Sequence, residues 1–340
     1  MTRRWRMRTF FGLIAAGLLT LGAASYTAPI RQGALALDDA GTVTPAFLDD
    51  QGVMIAHDGA RLGLTIWKPV GDAPAEHVIV GIHGMNNYAG EFRLAAPEWA
   101  REGIPVYAYD QRGFGRSVGR GFWPEEELMR QDLRTAVSIA RARHPDATVT
   151  VVAISMGAAV AITAFASDSP PLADQLILSG PGLRGWSVMN PVYSTSLWLS
   201  EQVSPGWIVR TPGFAKPLMT DNAEFLKVQA VDPFHTRENR VDQLTGAVTL
   251  MDRAQTRISA LPERIPVLVS YGGRDDVIPV TGPKQVAKRL PPHVRTVYYP
   301  EGYHVLLSDL QRGKVIADYL AFIRDPEAVL PSGEGEWPFR

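Results

Sequence analysis

The chain has 340 residues, 46% of them hydrophobic and 20% charged, enough to bury a large core without division into independent domains. A formal net charge of -1 gives no electrostatic basis for nucleic-acid binding, and the absence of cysteine excludes thiolate metal sites, redox motifs and lipoprotein attachment. No internal repeat is evident.

At the N-terminus, Arg3, Arg4, Arg6 and Arg8 precede an uncharged run from Phe10 to Ala24. The run suits the core of an export signal; a spanning helix needs ~17–25 residues, which Thr9, Ser25 and Tyr26 bring within reach. Residues 1–27 are therefore read as a signal peptide or an N-terminal membrane anchor (9–26), with Gly22-Ala23-Ala24 as an imperfect small-residue cleavage site. The basic flank stays in the cytoplasm, so the expected location of the body is exported, periplasmic or extracytoplasmic. Residues 28–50, punctuated by Pro29, Gly33, Gly41 and Pro45, read as a linker to a folded domain over 51–330.

Within that domain, Val53 to Ala56 and Arg61 to Lys68 predict a hairpin across Asp58-Gly59. His77 to Ile82, Pro105 to Tyr109, Thr148 to Ile154, Gln175 to Ser179 and Pro266 to Tyr271 predict further strands. Glu125 to Arg143 is the clearest helix, led by acids, closed by arginines, with Met129, Leu133, Val137 and Ala140 on one face. Alternation of strand and helix implies an α/β fold with a mostly parallel central sheet covered on both faces. The insertion between the sixth and seventh strands predicts a helical cap over 183–250, rich in Trp186, Tyr193, Trp198, Trp207 and Phe214. The tail over 331–340, opening Pro-Ser-Gly-Glu-Gly-Glu, reads as flexible.

Three segments carry chemistry. Val151 to Ala158 is an apolar strand that stops at Ser155 and resumes through Met156 and Gly157 with small residues suited to a helix, which is the pattern of a nucleophile elbow. Tyr271 to Pro279 places Asp275 at a strand exit, ahead of Asp276 in the turn, and Gly302 to Leu306 carries His304. A serine hydroxyl needs a base such as His304 to take its proton, and Asp275 would orient and stabilise that imidazole. The strand His77 to Ile82 leads into His83-Gly84-Met85, so the backbone N–H groups of Met85 and Met156 are the expected oxyanion donors. His83 itself reads as structural, Asp110 as a scaffold for its loop, and Arg112, Arg116 and Arg120 as a solvated loop face.

These segments, with Tyr88 and with Asp110-Gln-Arg-Gly-Phe-Gly-Arg-Ser117, resemble the monoacylglycerol lipase and lysophospholipase branch of the α/β-hydrolases, also grouped with the serine aminopeptidases. The likeness runs from about Gly52 to Arg324, and its chain order Ser, Asp, His is that of an α/β-hydrolase. One departure is Ala153, where the family usually has glycine two residues before the serine. The resemblance implies a serine hydrolase acting through an acyl-enzyme on monoacylglycerols, lysophospholipids or related amphiphilic esters, with no cofactor and no metal. Membrane association is expected through the N-terminus or the apolar cap. Other readings on the same triad are an aminopeptidase or amidase, for which Glu201, Asp221 and Glu224 are candidate ammonium ligands, and an acyltransferase. A non-catalytic hydrolase-like binding protein is a further reading. Asp232-Pro-Phe-His235 resembles the family's return from cap to core; His235, inside the cap and upstream of the acid, reads as structural or substrate-facing rather than as a triad member.

Overall fold

The computed structural model describes residues 28–36, 43–71, 73–210 and 217–339; the expected signal or anchor segment and Phe214 lie outside them. The strands are, in chain order, β1 (Arg31–Gln32), β2 (Ala46–Leu48), β3 (Val53–Ile55), β4 (Arg61–Trp67), β5 (His77–Ile82), β6 (Val106–Tyr109), β7 (Trp123–Pro124), β8 (Thr148–Ile154), β9 (Gln175–Ser179), β10 (Ile208–Val209), β11 (Asn239–Arg240), β12 (Val267–Gly272) and β13 (Val294–Tyr299). The α-helices are α1 (Ala96–Arg101), α2 (Glu126–Arg143), α3 (Met156–Phe165), α4 (Pro191–Val203), α5 (Ala223–Val231), α6 (Val241–Arg257), α7 (Thr281–Ala287) and α8 (Arg312–Arg324).

Nine strands form one sheet in the order β13-β12-β9-β8-β5-β6-β4-β3-β2. It is parallel from β13 to β6 and antiparallel from β6 to β2. The central strands are continuous apolar runs because both faces are covered, and the strand period of two sends neighbouring side chains to opposite layers. On β8, Val149, Val151 and Ala153 join α2, α3 and α6 in one core, while Val152 and Ile154 join Trp99 of α1 and Tyr319 and Phe322 of α8 in the other. This is the doubly covered α/β sheet that the resemblance implied. The sheet directs the ends of β5, β8, β12 and β13 to one edge, where their loops meet.

Three boundaries differ from expectation. The segment over 28–50 is not a free linker in its described parts: β1 pairs in parallel with β7, Ile30 N–H donates to Asp242, and β2 is the outermost strand of the sheet. Two- and three-residue strands are too short to show a period in sequence. The tail is docked as well: Trp337 is buried, donating its indole N–H to Val297 O, and Tyr298 N–H donates to Gly335 O. Its glycines and acids suggested looseness, but the aromatic residues after them bury against Tyr271 and Tyr298. The cap is inserted between β9 and β12 as expected, but residue 250 falls inside α6, whose Leu250 and Ala254 belong to the main core.

Candidate active site

Ser155 stands between β8 and α3 with φ 51° and ψ −115°, a left-handed conformation unusual for a residue with a Cβ. The strand-to-helix turn is tight because Gly157 passes so close to β5 that a Cβ there would lie 2.5 Å from His83 O. Ala153, the departure from the family pattern, is housed in the core with no exposure. The strain at Ser155 holds its hydroxyl at the edge of the sheet instead of letting it relax into the helix.

His304, in the loop after β13, has Nε2 at 2.8 Å from Ser155 Oγ and Nδ1 at 2.7 Å from Asp275 Oδ2. Asp275 follows β12, and its other oxygen, Oδ1, accepts the Val277 and Ile278 N–H groups, each at 2.8 Å. With Nδ1–H donated to the carboxylate, Nε2 is left to accept the serine proton. All three side chains are buried. Burial by itself lowers the basicity of His304. The hydrogen-bonded Asp275 and then the nearby Glu91 and Asp309 carboxylates outweigh it, so the imidazole titrates above the ordinary histidine value.

The Gly84-Met85 turn lies against the serine: a Cβ on Gly84 would sit 3.1 Å from that of Ser155. Met156 opens α3, where a helix N–H has no intrahelical acceptor, and the Met85 amide has no backbone acceptor among the described residues. The sheet therefore brings the five residues singled out in sequence to one edge. His83 lies wholly in the core, accepting Gln111 N–H at Nε2 (2.8 Å) and donating from Nδ1 to Gly84 O (2.7 Å); burial pulls it down to about 4. It is a neutral strut of the turn. Asp110 likewise joins two loops, accepting Ala89 N–H at Oδ1 and Arg116 N–H and Nε at Oδ2.

Sequence reasoning missed Glu91. This buried carboxylate accepts Gly84 N–H at 2.6 Å, and burial raises it above the ordinary glutamate value. Its only sequence signal is a lone acid in the run Ala89-Gly-Glu-Phe. The solvated arginine face also needs correcting. Arg112 is buried between Asp58 and Asp132, which it grips through forked hydrogen bonds of 2.6–2.8 Å. Arg116, which pairs with Asp110, and Arg120, which donates to Pro233 O, are exposed as expected.

The cap is tied to both sides of the site. Before α5, Met219 O accepts Val305 N–H, Asn222 Nδ2 donates to Ser308 O and Asp221 accepts Leu310 N–H, all on the histidine loop. After α5, Thr236 N–H donates to Asn86 O and Asp232 accepts Tyr88 O–H, both next to the Gly84-Met85 turn. Asp221 is thus occupied, Glu201 pairs with Arg31 and exposed Glu224 with Lys227. The apolar cap residues are not all inward: Trp198 is 54% exposed and Val231 78%. Among the described residues no cluster of His, Asp or Glu is arranged to hold a metal, and no helix is long and apolar enough to cross a membrane.

The family model described as "Serine aminopeptidase, S33" matches residues 73–311. The chain is 27% identical over 269 residues to a monoacylglycerol lipase of Mycolicibacterium smegmatis, covering 78% of this chain and 93% of that one. It is 24% identical over 259 residues to phospholipase YtpA of Bacillus subtilis, covering 76% and 98%. Among solved structures, a soluble variant of monoglyceride lipase from Saccharomyces cerevisiae, in complex with a substrate analog, is similar with a TM-score of 0.66 at 17% identity, covering 90% of this chain and all of that one.

Proposed function

The chain belongs to the serine aminopeptidase, S33, family of α/β-hydrolases, and on that premise we propose that it is a serine hydrolase cleaving carboxylic esters of amphiphilic lipids, of the monoacylglycerol or lysophospholipid kind. The observation that carries this reading is the hydrogen-bonded series from Ser155 Oγ through His304 to Asp275 at a strained turn. Ser155 attacks the ester carbonyl as His304 takes its proton; Asp275 holds the Nδ1–H tautomer and stabilises the imidazolium. The Met85 and Met156 amides receive the charge that develops on the carbonyl oxygen, a contribution typically of about 3–4 kcal/mol per donor. His304 then gives its proton to the leaving alcohol, and water, activated the same way, frees the acid. The family model is described as a serine aminopeptidase, but the three cap acids that could hold a substrate ammonium are engaged elsewhere or exposed, which favours the ester.

The proposal extends to location: the arginine-flanked run over 9–26 supports export with the body outside the cytoplasm, and the exposed apolar cap residues support contact with a lipid surface. The substrate class is tested by comparing kcat/KM across monoacylglycerols, lysophospholipids and aminoacyl amides. Preference for medium or long acyl esters is expected; cleavage confined to aminoacyl amides would transfer the enzyme to the peptidase side.

The pH profile gives an independent check. The base must be neutral to accept the Ser155 proton, so activity is lost as pH falls through the raised His304 titration, and the acid limb of kcat/KM is expected above the ordinary value of about 6.5. Of the carboxylates that face His304, Asp275 is required, whereas Glu91 and Asp309 act through charge. Glu91→Gln is therefore expected to move the acid limb to lower pH; a limb that stays in place would show that this carboxylate is not felt by the base.

A further inference from the structure

The buried and half-buried arginines near the site are matched by carboxylates, Arg93 by Asp232 and Arg112 by Asp58 and Asp132, as is exposed Arg116 by Asp110. Arg184 is different. Its hydrogen bond is a long one, from Nη1 to Val277 O at 3.5 Å in partly buried surroundings, and among the described residues no carboxylate acts on it. Burial pulls its guanidinium below the ordinary arginine value, and the group opposing that effect is the phenol of Tyr193 on α4. That phenol is itself raised by burial, so it carries no negative charge near neutral pH.

The position of Arg184 follows from the chain. Gly182 N–H donates to Ser155 O at 2.8 Å. Two further residues extend at most ~7 Å, which keeps the Arg184 backbone within about 10 Å of the serine. From there the side chain crosses to Val277, whose own amide holds Asp275. The guanidinium thus lies at the seam between cap and core, with the acid loop on one side and the first cap helix on the other.

A cation withdrawn from water without a counter-charge is costly, and an anion arriving with the substrate removes that cost. The guanidinium fork matches the oxygens of a phosphate, whereas an uncharged glycerol gives it nothing to neutralise. In an acyl-glycerophosphate the phosphate is separated from the ester carbonyl by a few bonds, a spacing an extended arginine side chain can bridge. We propose that Arg184 is an anion-binding residue at the mouth of the site, taking the phosphate of a lysophospholipid head group. Its place in a reaction rests on the ester-hydrolase reading above; its affinity for the anion does not.

Binding is measured by calorimetry on full-length Ser155→Ala protein with three probes: dodecyl phosphate, the uncharged dodecyl glycerol ether and inorganic phosphate. Dodecyl phosphate is expected to bind about tenfold more tightly than the ether, and this preference is expected to disappear in the Ser155→Ala/Arg184→Met double variant. Arg184→Lys, which keeps the charge but not the fork, is expected to retain part of it. A preference that survives Arg184→Met, or a loss shared equally by both lipids, overturns the assignment. Inorganic phosphate binding as tightly as dodecyl phosphate would show a site for the free ion and overturn the head-group assignment. On protein with Ser155 intact, Arg184→Met is expected to lower the kcat/KM ratio of lysophosphatidate to monoacylglycerol by about tenfold. Absence of ester cleavage by the unmodified protein would overturn the hydrolase reading while the calorimetry still decides the anion site.

Discussion

Ser155→Ala is expected to lower ester turnover by about 10⁴–10⁶-fold and to abolish labelling by a fluorophosphonate probe. The loss is this large because the oxygen that attacks is gone, while the Met85 and Met156 amides and the substrate-binding surface remain to give a small residual rate. Stability should hardly move. Alanine keeps the Cβ that strains the backbone at φ 51°, and the one hydrogen bond removed is that to His304. Ser155→Gly makes a useful companion, since it removes the same hydroxyl and also the Cβ; thermal unfolding should show it more stable by about 1 kcal/mol. Ester cleavage persisting in the alanine variant would dismiss Ser155 as the nucleophile. A Ser155→Gly protein no more stable than Ser155→Ala would show that the turn is not strained.

The largest expected effect on stability lies at Arg112. Its guanidinium is 1% exposed and forks onto Asp58 and Asp132, themselves 4% and 1% exposed. Burial drives Asp132 up to about 6, against the pull of Arg112, while Asp58, also held by the Leu35 and Ala60 amides, lies well below the ordinary range. Arg112→Met leaves two buried carboxylates facing each other without the cation between them. A cost of about 3–5 kcal/mol and a fall in Tm of about 4–7 °C are expected. Activity should fall with it, because neighbouring Gln111 holds His83 through its backbone N–H and its side-chain amide, and His83 braces the Gly84-Met85 turn. A variant that melts with the unmodified protein would show that this buried triad carries no net stabilisation.

The parts of this site that were legible in sequence are those whose constraint is local. Ser155 announces itself because a tight strand-to-helix turn needs small residues immediately around it, and β8 is an unbroken apolar run because both its faces are buried. Asp275 and His304 could be picked out because each follows a strand closely. Arg112 could not, because nothing within its own loop shows that its partners come from 54 and 20 residues upstream and downstream. Glu91 was missed for a related reason: an isolated acid reads as surface until a backbone amide from Gly84 is brought to it. The docked tail and the first strands escaped because their contacts, such as Trp337 on β13, are formed by the finished sheet.

Helix α5 has its two flanks fastened to different catalytic loops, Met219 to Asn222 to the loop of His304, and Asp232 to Thr236 to the turn before Tyr88. A segment pinned at both ends has a fixed length. Insertions or deletions between Met219 and Thr236 would therefore shift one catalytic loop against the other, and added residues are expected to be tolerated better ahead of Met219. For the same reason a cap transplanted from a relative would carry its fit to the donor's histidine loop with it, and the two would have to be exchanged together.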